Sequence, residues 1–313
     1  MRTTIDTLAV VGAGSIGGSW VALGLAHGLR VSAADPSAAA LGRLPQTVAR
    51  NLVELGADET ALDRLETYDD PAAAVAEADL VLEAGPERVE VKRELFAILD
   101  GATAPDVVLA SSSSGLGPSA FQDACGHPER VLVAHPFNPP HLVPLVEVVG
   151  GRATSEEAIA ATMTAMNGLG RRPVRVRAEL PGHVVNRLQA ALWREAYDLV
   201  RRGAISVADL DQAVASGPGL RWALLGPIAT QHLSGGPGGL AHVLEHLGPP
   251  MVEWWADLGE PEFTAELRQQ LVDGVDSEMG GREADVLGRR DGALRELLEL
   301  KARAGLDDLG GER

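Results

Sequence analysis

The chain has 313 residues, with 27 basic against 44 acidic side chains and a formal charge of −17. That balance excludes nucleic acid and an anionic membrane as general partners, because both repel a negative surface. A single cysteine, Cys125, excludes an internal disulfide framework and fits a reducing cytoplasm. The N-terminal residues lack the cationic head and long apolar run of a secretion signal, and no apolar stretch reaches the roughly 18 residues of a membrane span.

In chain order, "TLAVVG", "RVSAAD", "LETYD", "LVLEAG", "VVLASS", "RVLVAH", "LVEVVG" and "PVRVRA" read as strands. "SIGGSWVALGLAHG", "ERVEVKRELFAILD" and "SEEAIAATMTAMNGLG" lie between them with apolar residues at helical spacing. This alternation predicts an α/β fold, a Rossmann-type doubly wound and mainly parallel sheet. After Pro181 the pattern changes to helices only: "GHVVNRLQAALWREAYDLVRRG", "SVADLDQAVASG", "GPIATQHL", "GLAHVLEHLG" and a last helix in "READVLGRRDGALRELLELKARAG". A boundary near residue 180 therefore divides a nucleotide-binding domain, 1–180, from an all-helical domain, 181–313. The charged, Gly-rich tail is expected to fray.

Between the first strand and first helix stands "VVGAGSIGGSW". Gly12, Gly14 and Gly17 form G-x-G-x-x-G around Ser15 and Ile16. The first glycine makes the turn, the second admits a pyrophosphate, and the third brings helix close to strand. Asp35 closes the second strand, where a carboxylate accepts from both ribose hydroxyls and repels a 2′-phosphate. NAD is expected over NADP, although these features alone also admit FAD or a nucleotide sugar.

"HPFNPPHLVPLVEVV" (135–149) is the second constellation. His135 ends one strand, and Ser111 to Ser114 end the strand before it. Histidine suits removal of an alcohol proton, because its pKa lies near working pH. Glu147 sits inside an apolar strand, where an unpaired carboxylate is costly, and adjacent strands would bring it beside His135. Ser114 and Asn186 would supply hydrogen-bond donors to the substrate oxygen from two sides of a domain cleft. On spacing alone, a structural histidine and a serine loop are the competing explanation.

Together "ASSSSGL", "VAHPFNPP", "PLVEVV" and "PGHVVNRL" resemble the L-3-hydroxyacyl-CoA dehydrogenase superfamily over nearly the whole chain. "SGPGLRWALLGPIATQHLSGGPGGLAHVLEHLGPP" is similar to its branch containing L-gulonate 3-dehydrogenase (λ-crystallin) and carnitine 3-dehydrogenase. The resemblance implies His135 as general base, Glu147 as its partner, Ser114 and Asn186 as substrate-oxygen donors, and Asn138 as support. It places Glu87 and Lys92, in "EAGPERVEVK", near the nicotinamide ribose, with Ser112 also on the cofactor side. Lys92 is one of only two lysines. The helical domain is implied to bind substrate and to form a homodimer, and no metal is implied.

Departures from the acyl-CoA branch bear on substrate. That branch typically reads Asn-Thr-Ser-Ser where this chain has Ser112, Ser113, Ser114 and Gly115, and it carries a Lys-rich helical insert after the second strand. Residues 36 to 64 here hold no lysine and only Arg43, Arg50 and Arg64. Coenzyme A would leave several phosphate charges uncompensated. A free acid needs one cationic fork, for which Arg221 in "GLRWALLGP" is the candidate, with Trp222 as a pocket wall. The expectation is oxidation of a free short L-3-hydroxy carboxylate, gulonate-, carnitine- or 3-hydroxybutyrate-like, or the reverse reaction. A thioester-bound hydroxyacyl substrate is the alternative. His232, His242 and His246 have a spacing that can bind zinc, but this chemistry needs none. "MVEWWADLG" has adjacent tryptophans that cannot share one helix face and suit a subunit contact or a pocket wall.

Overall fold

The computed structural model describes residues 1–306; the tail expected to fray, 307–313, lies outside the described residues. The chain divides into two compact units, Met1–Arg187 and Leu188–Arg313. In the first, β1 (Thr7–Val11), β2 (Arg30–Ala34), β3 (Leu65–Tyr68), β4 (Leu80–Glu83), β5 (Val108–Ser111), β6 (Val131–Pro136), β7 (Leu145–Gly150) and β8 (Arg172–Val176) form one sheet. Its order is β3-β2-β1-β4-β5-β6-β7-β8. Every pairing is parallel except β6 with β7, which run antiparallel. The mainly parallel doubly wound sheet read from the sequence is thus the observed fold.

Side chains alternate across a strand, and both faces of this sheet are covered. Leu8 and Val10 of β1 join one buried cluster with Trp20, Leu44, Val148 and Met166. Ala9 and Val11 join the other, with Phe96, Leu99, Phe121 and Val133. The covering helices include α1 (Ser15–Ala26), α2 (Ala38–Glu54), α3 (Pro71–Val75), α4 (Val89–Ala102) and α5 (Glu156–Gly168). α2 was not read from the sequence; Ser37 starts it by accepting from the Ala40 amide.

The long helix α6 (Val185–Arg201) begins in the first unit and continues into the second. The second unit adds α7 (Val207–Ser216), α8 (Pro218–Leu224), α9 (Pro227–Ser234), α10 (Gly239–Asp257), α11 (Ala265–Met279) and α12 (Glu283–Arg303). α10 runs through Pro249 and Pro250, beyond the Gly248 at which the sequence pattern stops. α11 is another helix that pattern missed, although Thr264 caps its start and Gly280 ends it in a left-handed conformation. Trp254 and Trp255 are 59% and 64% exposed. No helix among the described residues is long and apolar enough to cross a membrane.

Candidate active site

Strand order reverses between β1 and β4, so loops leaving their carboxyl ends open a crevice. Gly12 stands there with φ 113°, and a Cβ would fall 2.6 Å from the Ala84 carbonyl oxygen. At Gly17 a Cβ would lie 1.7 Å from the Gly12 oxygen, so only glycine lets α1 approach β1. Gly14 differs. A Cβ there would meet nothing within 4 Å, so the protein itself leaves room for an outside group. The α1 N-terminus has no side-chain cap and no acid in its first turn, and it starts at Ser15 and Ile16. Its free amides and positive dipole end therefore suit a pyrophosphate. Asp35 accepts from the Ala13 and Ser37 amides at 2.8 Å each, which fixes the carboxylate beside the glycine loop. These residues fit NAD.

Register brings the second constellation together. Antiparallel pairing places His135 directly opposite Glu147. Glu147 Oε2 accepts from His135 Nδ1 at 2.9 Å, with the two side chains 0% and 7% exposed. A carboxylate only accepts, so Nδ1 carries the proton, and in the neutral ring Nε2 keeps the lone pair. Glu147 Oε1 accepts from the Val184 and Val185 amides at 2.9 and 3.0 Å, at the start of α6. Burial pushes the Glu147 carboxyl up, but the His135 hydrogen bond and the two amides outweigh it and hold the group below its usual range. Phe137 packs 5.1 Å from the His135 ring, and Asn138 beside it is exposed.

The loop after β5 completes the arrangement. Ser114 has an exposed side chain, and its backbone carbonyl accepts from Asn186 Nδ2 at 3.2 Å. Both residues belong to the first unit. Ser112 Oγ accepts from Trp20 Nε1 at 2.9 Å. Glu87 Oε1 accepts from Ser113 Oγ and from the Gly115 and Leu116 amides. Burial opposes its ionisation, yet these bonds, helped by the Lys92 charge, hold the carboxyl below its usual range.

Lys92 is 1% exposed, and its ammonium holds both oxygens of buried Glu83 at 2.9 and 2.8 Å. Ser111 Oγ and the Gly85 amide donate to the same carboxylate at 2.6 Å each. A buried charge demands a partner, and Glu83 at the end of β4 takes Lys92 for that purpose. Sequence reasoning also passed over Glu83 and over buried His183, whose ring lies 5.3 Å from that of His135.

Arg221 and Trp222 lie on α8 in the helical unit, each exposed. His242 and His246 face each other on α10 with ring centres 4.0 Å apart, while His232 Nδ1 accepts from the Leu240 amide.

A glycine cradle at the crossover of a doubly wound sheet, with an aligned histidine and carboxylate on strands of the same sheet, defines the class of dinucleotide-dependent dehydrogenases. Residues 7–179 match the 3-hydroxyacyl-CoA dehydrogenase NAD-binding domain, and residues 182–273 match the C-terminal domain of the same family. The chain belongs to the 3-hydroxyacyl-CoA dehydrogenase family. It is 44% identical over 309 residues to an L-carnitine dehydrogenase of Streptomyces coelicolor, covering 97% of each chain. A 3-hydroxyacyl-CoA dehydrogenase of Gibberella moniliformis is 44% identical over 310 residues, 96% of each chain. Among solved structures, 5-formyl-3-hydroxy-2-methylpyridine 4-carboxylic acid 5-dehydrogenase, an NAD+-dependent dismutase, superposes with a TM-score of 0.81. That protein is 28% identical, and the match covers 96% of this chain and 99% of its own.

Proposed function

We propose that the chain oxidises the 3-hydroxyl of a free short L-3-hydroxy carboxylate to the 3-keto acid with NAD, an L-carnitine-like acid being the first candidate among carnitine-, gulonate- and 3-hydroxybutyrate-like acids. The observation that carries this reading is the His135–Glu147 pair, which leaves Nε2 as the only nitrogen of that ring with a lone pair to offer. Bound NAD supplies the hydride acceptor. His135 takes the hydroxyl proton at Nε2, and ionised Glu147 stabilises the resulting imidazolium through Nδ1–H. Ser114 and Asn186 hold the substrate oxygen, and Asn138 supports them. Glu87 and Ser112 serve the cofactor side, Glu87 by holding the 113–116 loop.

The helical unit would carry the acid's counter-charge on Arg221, with Trp222 as a wall, and would pair two copies as a homodimer in the cytoplasm. Exposed Trp254 and Trp255 suit such a contact. A thioester substrate is the second reading, supported by the Gibberella relative. Against it, the stretch after β2 is poor in cations, and Arg64 there is spent on the Leu25 and Leu29 carbonyls.

Steady-state NADH formation tests the choice. Turnover is expected with L-carnitine, L-gulonate or L-3-hydroxybutyrate and not with L-3-hydroxybutyryl-CoA; turnover of the thioester alone overturns the free-acid reading. Arg221→Met should raise KM for the acid at least tenfold, since losing a hydrogen bond to a charged group costs about 1.5–3 kcal/mol. An unchanged KM removes Arg221 from the site.

A further inference from the structure

His183 leads into α6, is fully buried and has a left-handed backbone, φ 52°. Few residues other than glycine adopt that conformation, asparagine, aspartate and histidine being the usual ones. Its Nε2 lies 3.1 Å from the Ser113 carbonyl and must donate to it, which leaves Nδ1 as a lone pair. Nδ1 is buried without a hydrogen-bond partner. His135 is the complementary case, with Nδ1–H spent on Glu147 and Nε2 holding the lone pair.

The two ring centres are 5.3 Å apart with planes inclined at 45°. Two imidazoles sharing one zinc ion, with Zn–N bonds of about 2.0 Å and a near-tetrahedral angle, have centres about 5 Å apart. In each ring the other nitrogen donates to a carboxylate or a backbone carbonyl. Metal-bound histidines are held in this way, because such partners fix the tautomer and raise ligand basicity.

We propose that His135 and His183 together form an inhibitory site for a borderline divalent cation of the zinc class. Among the described residues no group of three His, Cys, Asp or Glu side chains is placed to hold a metal, so water fills the remaining positions. Occupation removes the lone pair of His135 and so excludes the hydroxy acid rather than NAD. Two rival sites differ in chemistry. Burial and Asp100 push the Cys125 thiol up to about 12, leaving little thiolate, and His242 with His246 forms an exposed pair on α10.

The effect on turnover rests on the dehydrogenase reading; metal binding does not. Zinc chloride titrated into the enzyme with NAD present should inhibit at micromolar concentration, reversibly by EDTA and competitively with the hydroxy acid. In His183→Phe, each rate taken relative to its own metal-free rate, the half-inhibiting concentration should rise at least tenfold. His183→Asn, which tolerates the left-handed backbone, serves if the phenylalanine variant does not fold. His242→Gln/His246→Gln should respond like the wild type. Cobalt(II) titration followed by visible absorption reads binding without substrate and should lose one site in the His183 variant. Unaltered zinc sensitivity and cobalt binding in the His183 variants overturn the proposal, as does loss of sensitivity in the His242/His246 variant. Cobalt binding at His183 in a protein without hydroxy-acid turnover would instead defeat only the functional reading.

Discussion

Replacing His135 by glutamine is expected to lower kcat by roughly 10³-fold, within the range that a positioned general base contributes. NAD affinity, read from quenching of tryptophan fluorescence, should hold within about twofold, because the glycine cradle lies on β1 and α1 rather than on β6. Glutamine keeps most of the volume and still donates toward Glu147, so the carboxylate is not left bare. The pH profile separates the partners. Glu147 is held below its ordinary value, so the stabilisation from its native hydrogen bonds is fully present above the unfolded carboxylate range and is lost only as pH falls through the lower folded value. An acid limb of kcat/KM near neutrality then belongs to a group other than Glu147. Near-wild-type turnover in the glutamine variant would remove His135 from proton transfer.

Lys92→Met should be the most destabilising of the changes considered. It strands the Glu83 carboxylate, which is 0% exposed, with Ser111 and the Gly85 amide as its remaining donors. Breaking one side of a buried pair costs about 3–5 kcal/mol, which in a unit of this size lowers Tm by on the order of 10 °C. Removing both charges, as Glu83→Gln/Lys92→Met, should recover most of that loss, since an absent pair costs less than a broken one. Calorimetry of the single and double variants measures the difference. An unaltered Tm together with a raised KM for NAD would instead assign Lys92 to the ribose.

Much of this is legible in the sequence. The central strands, buried on both faces, are short apolar runs between turn residues; the edge strands β3 and β8 are more polar, and all eight lie where the sequence places them. His135 opposite Glu147 followed from two adjacent strands and the cost of burying an unpaired acid. The direction a long side chain takes was not legible. The same "EAGPERVEVK" that suggests a lysine reaching a ribose also permits one turned inward onto Glu83. α11 was missed because its apolar positions are interrupted by charges, although Thr264 and the Gly280–Gly281 pair mark its ends. His183 stayed hidden because "PGHVVNRL" reads as an ordinary helix start, and a positive φ at a residue other than glycine leaves no periodic trace.

The single reversal of direction in the sheet, between β6 and β7, separates two tasks. Base and acid are aligned by a hydrogen-bonded ladder five residue pairs long, and slipping it by one residue would turn Glu147 to the opposite face. The intervening 137–144 segment is relieved of that duty. It is instead tied to the two helices beside the glycine loop, through buried His141 bonded to Ser19 and Glu54.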